Sequence, residues 1–129
     1  MTALPSGLGL APVDEGGFSL TPSLRGKVLA VKICGNGDMA ALDVLNRYLK
    51  QLHREAVHLG AAEVELDFHE LYFMNSSCLK ALVSFIDGAA NVDKPGYRIR
   101  FLTNPQLFWQ RRSLEALQRL APEFVQIES

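Results

Sequence analysis

The chain has 129 residues, 48% of them hydrophobic and 21% charged, with a formal net charge of −1. This length suits one domain with its own core, without metal or disulfide staples. The near-neutral balance supplies no global field toward nucleic acid or an acidic membrane. No apolar run approaches the roughly 18 residues of a membrane span, and residues 1–17 lack the basic start and continuous apolar stretch of a secretory signal. The two cysteines, Cys34 and Cys78, match neither a disulfide framework nor a paired zinc motif, which points to reduced thiols and a cytoplasmic setting.

Residues 1–17, rich in Gly, Pro, Ala and Leu, show no period and suggest a loose tail or an edge segment. One domain over 18–129 follows. "FSLT" suits a short edge strand. "KVLAVKIC", Lys27 to Cys34, alternates Leu29, Val31 and Ile33 on one face, and "GNGD" turns the chain. From Met39 a long amphipathic helix is predicted, capped by Asp38 and ended at Gly60. Ala41, Leu42, Leu45, Tyr48, Leu49, Leu52 and Ala56 form its apolar stripe.

"EVELDFH" is a strand with Val64, Leu66 and Phe68 on one side and Glu63, Glu65 and Asp67 on the other. A second helix covers about Ser76 to Ala90. "YRIRF" alternates Tyr97, Ile99 and Phe101 with Arg98 and Arg100. Asn104 and Pro105 open a third helix, with Leu107, Leu114, Leu117 and Ala121 inward and Pro122 at its end. "FVQI" closes the chain as a strand. Alternating strands and helices imply an α/β fold with crossovers and a mixed, mostly parallel sheet of four to five strands. Strands covered on both faces are apolar throughout. The charge alternation here therefore places all helices on one face, and Glu65 and Asp67 face Arg98 and Arg100 if those strands are neighbours.

The informative stretch is "LYFMNSSCLKALVSFI", Leu71 to Ile86, where an apolar run reaches Asn75, Ser76 and Ser77 and helical spacing begins at once. If Leu79, Leu82, Val83 and Ile86 are the buried stripe, Ser77 lies opposite it and Ser76 nearer the core edge. Ala81, Ser84 and Phe85 then share the outward face with Ser77. An outward Phe85 forms a patch for a partner. Asn and Ser at a helix start are also ordinary caps, though no Glu or Gln completes a capping box. A helix start favours an anion, so a phosphate on Ser77 is compatible with the fold.

Other chemistry has weaker support. Cys78 near a helix start suits a thiolate nucleophile, with His69 upstream, but no resolving cysteine is near and the spacing matches no catalytic motif. His53 and His58 lack i, i+4 spacing, so no metal set is expected, and "GNG" is not a phosphate loop. No cofactor is implied. "FWQRRSLEALQRL" mixes Trp109 with Arg111, Arg112 and Arg119, but Glu115 and Glu123 interrupt it. Trp109 instead suits a cover over a helix start or a protein interface.

"LDFHELYFMNSSCLKALVSFI" resembles the signature of the STAS domain, the fold of bacterial anti-sigma factor antagonists. That signature is a hydrophobic strand, a linker, Asp-Ser-Ser-Gly or Asp-Ser-Thr-Gly, and an apolar helix. "KVLAVKICGNGD" is similar to the family's early strand and Gly-Asp turn, and the element order matches from about Phe18 to Ile127. The resemblance implies a non-enzymatic signalling module that works by partner switching. A serine kinase doubling as an anti-sigma-type regulator binds the unmodified domain. Phosphorylation of the second hydroxyl residue releases it, and a PP2C-type phosphatase reverses the change. By position that residue is Ser77, with Ser76 the second choice. The implied partner surface comprises Asn75, Ser76, Ser77, Cys78, Lys80, Ala81, Ser84 and Phe85. Here Asn75 stands for the family Asp, Cys78 for the family Gly, and the first helix is longer than usual. The alternatives are a constitutive scaffold subunit of a larger complex, in which the serines only cap, and a thiol enzyme using Cys78.

Overall fold

The computed structural model describes residues 8–91 and 96–129. Seven strands and three helices follow in the order β1 (Val13–Glu15), β2 (Phe18–Arg25), β3 (Val28–Gly37), α1 (Met39–Leu59), β4 (Glu63–Asp67), β5 (Leu71–Met74), α2 (Ser76–Ala90), β6 (Arg98–Leu102), α3 (Phe108–Gln118) and β7 (Val125–Glu128). The sheet runs β1-β2-β3-β4-β6-β7, with β5 pairing β3 beyond the end of β4. β1–β2 and β2–β3 are antiparallel and the other pairings parallel. The sheet is therefore mixed and larger than the four to five mostly parallel strands expected.

The edge strand expected at "FSLT" runs on to Arg25 against β3. β1 reaches only as far as Leu20, so among the described residues Pro22 has no strand on its outer side, where a proline is tolerated. The Gly35–Gly37 turn is instead the end of β3, kinked between Gly35 and Asn36. Gly35 has φ 101°, and a Cβ there would stand 1.8 Å from the Gly17 carbonyl oxygen, so only glycine fits. Of the segment expected as a loose tail or an edge segment, Val13–Glu15 forms an edge strand, Leu8 and Leu10 are buried, and the Gly9 N–H donates to the Glu55 carboxylate on α1. Residues 1–7 lie outside the described residues.

The predicted helix caps hold. Asp38 accepts the Ala41 N–H at 3.1 Å, and Gly60 closes α1 with φ 64°. The α1 stripe gains Val44, and Leu42 is only partly buried. α3 starts later than expected. Asn104 and Pro105 make the preceding turn, where Asn104 Oδ1 accepts the Gln106 N–H at 2.9 Å, and Leu107 caps the helix without a side-chain bond.

Val64, Leu66, Ile99 and Phe101 are buried beneath the helices, while the opposite sheet face carries charge. Register pairs Glu63 with Arg98 and Glu65 with Arg100, one step from the expected match. Arg100 bonds Glu63 at 2.7 Å, Glu65 at 2.9 Å and Glu128 at 3.0 Å, and Arg25 also reaches Glu65 at 2.9 Å. Asp67 pairs with His69 at 2.7 Å instead, because its neighbour on β6 is Leu102. Glu65 is thus held at 8% exposure between two guanidinium groups.

Candidate protein-binding site at the start of the second helix

The helices α1 and α2 begin side by side. Gly37 and Met74 are paired, the Asn75 N–H donates to the Gly37 carbonyl at 2.8 Å, and Asn75 Oδ1 accepts the Cys78 N–H at 2.9 Å. Asn75 is therefore the cap that its residue type predicts. Ser76 and Ser77 follow on the first turn, where backbone N–H groups precede the intrahelical ladder.

Several wheel-based expectations need correction. The buried residues of α2 are Cys78, Ala81, Leu82, Phe85, Ile86 and Ala89, while Leu79 and Val83 are only partly buried. The stripe is turned by ~80° from the expected one, because α2 packs on α1 as well as on the sheet. Phe85 and Ala81 therefore do not face outward, and the Phe85 ring stacks at a tilt 6.0 Å from Tyr97. The same rotation reverses the serines: Ser76 is exposed and Ser77 partly buried on the flank. Lys80 and Ser84 are exposed, while Cys78 is inside.

Cys78 is fully buried and its thiol donates to the Asp38 carbonyl at 3.6 Å. Burial, and secondarily the Asp38 carboxylate, push its pKa up. The lowered pKa that a thiolate nucleophile needs is thus not supplied, and His69 is engaged with Asp67.

Sequence reasoning missed the aromatic edge beside the serines. β5 buries Leu71 and Met74 but leaves Tyr72 and Phe73 at 55% and 49% exposure. The only sequence signal was a pair of adjacent aromatics in a segment too short to show a period. Trp109 Nε1 donates to the Tyr72 carbonyl at 2.9 Å, so Trp109 covers the strand edge that leads into α2. Gln110, also missed, is fully buried and donates to the Phe68 and Leu71 carbonyls at 2.7 and 2.9 Å. These side chains from α3 supply the hydrogen bonds that a neighbouring strand would otherwise give β5. Of the histidines, His53 shares a 2.6 Å hydrogen bond with the Tyr97 hydroxyl and His58 is exposed. Among the described residues no cluster of His, Cys, Asp or Glu suits a metal ion, and no helix is long and apolar enough to cross a membrane.

This arrangement, a mixed sheet with helices on one face, recurs in solved structures. An anti-sigma factor antagonist from Mycobacterium paratuberculosis superposes with TM-score 0.65 at 14% identity, over 86% of this chain and 85% of the other. The chain has a STAS-like fold. An antisigma-factor antagonist STAS domain from Rhodobacter sphaeroides matches with TM-score 0.53 at 15% identity, over 73% and 94% of the two chains. The Bacillus cell fate determinant SpoIIAA in its phosphorylated form matches this STAS-like chain with TM-score 0.56 at 19% identity, over 87% and 91%. No family model and no curated protein sequence matches.

Proposed function

We propose that this chain is a non-enzymatic regulatory module of the anti-sigma factor antagonist type, residing in the cytoplasm with both cysteines reduced. It binds a protein partner through the start of α2, and phosphorylation there releases that partner. One observation carries the proposal: two hydroxyls on the first turn of α2 adjoin an exposed aromatic pair, Tyr72 and Phe73. Exposed aromatics of this kind are the usual anchors of protein interfaces. Asn75, Ser76, Ser77, Lys80 and Ser84 complete the face, while Cys78, Ala81 and Phe85 support it from within.

Ser77 is the proposed phosphorylation site and Ser76 the second choice. A phosphate adds about −1.5 to −2 charges. The free N–H groups of the first turn and Lys80, three residues from Ser77, stabilise that charge without disturbing the helix. The same charge beside Tyr72 and Phe73 opposes docking of an apolar or acidic partner surface. The partner class is a serine kinase acting as an anti-sigma-type regulator, with a PP2C-type phosphatase as the reversing enzyme.

The test is phosphosite mapping by mass spectrometry on the chain isolated with its partner, together with affinity measurements on variants. Ser77→Ala is expected to retain the partner and Ser77→Asp to weaken it tenfold or more. Modification elsewhere, or equal binding by both variants, removes the switch and leaves a constitutive scaffold subunit.

A further inference from the structure

Away from the serines, α1 and α2 leave a valley of about 290 Å³ between them. Its floor is apolar, formed by Leu49, Ala81 and Phe85, and it begins about 6 Å along α2 from Ser77. Two exposed cations, Lys50 and Arg54, stand on its α1 side. No carboxylate lines it, and neither cation joins an ion pair among the described residues.

Gly88 lines the α2 side. It is a helical residue without positive φ, and a Cβ built there meets no heavy atom within 4 Å. The chain's own packing therefore does not require glycine, although glycine is the poorest non-proline residue for a helix interior. A surface approached closely by another chain does favour it.

We propose that this valley receives an acidic amphipathic helix of the protein partner, with aliphatic side chains on the Leu49–Phe85 floor and Asp or Glu side chains toward Lys50 and Arg54. The proposal rests on the protein-binding function above and adds a second contact with defined chemistry. α1 and α2 each follow a parallel strand, β3 or β5, so they run alongside each other. A third helix can lie in the furrow between two such helices. The volume suits a few aliphatic side chains, and the unpaired cations select the sign of the flanking charges.

The test titrates a synthetic helical peptide of about 16 residues, leucine on one stripe and glutamate on its flanks, onto the ¹⁵N-labelled full chain. A second peptide carries lysine in place of glutamate. The glutamate peptide is expected to shift the amides of Leu49 to Arg54 and Ser84 to Gly88, and the lysine peptide to leave them unmoved. Lys50→Glu combined with Arg54→Glu should weaken binding at least tenfold. Gly88→Leu should abolish it while the melting temperature stays level or rises, which shows that the chain is still folded. Equal shifts with both peptides, no shifts, or shifts confined to Tyr72–Ser77 overturn the proposal. The same shifts on concentrating the chain alone also overturn it and assign the valley to a second copy. Ser77→Asp should bind the glutamate peptide unchanged, so failure here leaves the Ser77 switch standing, and failure of the switch leaves this site standing.

Discussion

The starts of α1 and α2 are built alike and charged differently. Each follows a strand of the same sheet, and each has an Asx side chain accepting the N–H three residues on, Asp38 to Ala41 and Asn75 to Cys78. At α1 the cap is a carboxylate, which itself balances the positive end of the helix dipole. At α2 the cap is a neutral amide followed by two hydroxyls, so the helix brings no charge of its own to offset the dipole where Ser76 and Ser77 stand. Asn75 therefore gives the same capping geometry without a negative charge that a phosphate would oppose. One helix start carries its own negative charge in the cap, and the other does not.

The largest effects expected are on the packing that makes the α2 start possible, at Gln110 and Phe85. Gln110→Leu removes a donor from the Phe68 and Leu71 carbonyls and the acceptor of the Asn104 N–H, and a loss of about 2–4 kcal/mol is expected in denaturant unfolding. An unchanged midpoint would show that β5 does not depend on α3. Phe85→Ala should cost about 3–4 kcal/mol, since the ring is buried against Tyr97. A change under about 0.5 kcal/mol would restore the outward placement that the simple wheel suggests.

Asn75→Ala and Asp38→Ala should each cost about 1 kcal/mol, measured in the same way. Asn75→Asp sharpens the contrast. Stability should rise by about 0.3–1 kcal/mol, because the second helix then resembles the first, while the gain from a phosphate on Ser77 falls. If Asp at 75 destabilises the chain, the α2 start is already compensated by another group.

Tyr48→Phe should have a small effect of the opposite sign. The Tyr48 hydroxyl is buried with no partner among the described residues, so its removal should leave stability level or raise it by about 1 kcal/mol. Its alkaline effect is separate. Burial raises the pKa of Cys78 above its ordinary 9.0 and those of Tyr48 and Tyr97 above their ordinary 10.0. The unfolded chain therefore loses these protons first. The stability associated with them is complete below about pH 9 and declines as pH rises beyond it. A chain in which Tyr48→Phe does not reduce that decline would exclude Tyr48 as a contributor.

Much of this was legible in the residues. Asp38, Asn75 and Gly60 marked helix ends because their side chains, or the absence of one, meet local backbone needs that do not depend on the rest of the fold. The alternation in "EVELD" and "RIRF" placed the helices on one face and paired an acidic strand with a basic one, though one step out of the register expected. What stayed hidden depended on partners distant in sequence. β5 is four residues long and is held by Gln110 and Trp109 from α3, so no local pattern defines it. The inward arc of α2 depends on α1 beside it, and the sequence period gives spacing without saying how many neighbours share the burial. Ser76 and Ser77 exchanged their expected exposures for that reason alone.

The ordered stretch before β2 has a practical consequence. Leu8 and Leu10 sit in the core, Gly9 is tied to Glu55 on α1, and Val13–Glu15 forms the outermost strand. A chain begun at Phe18 would thus lose a clasp that joins the helical layer to the sheet margin. A protease that cut just before Phe18 would loosen both layers in one event.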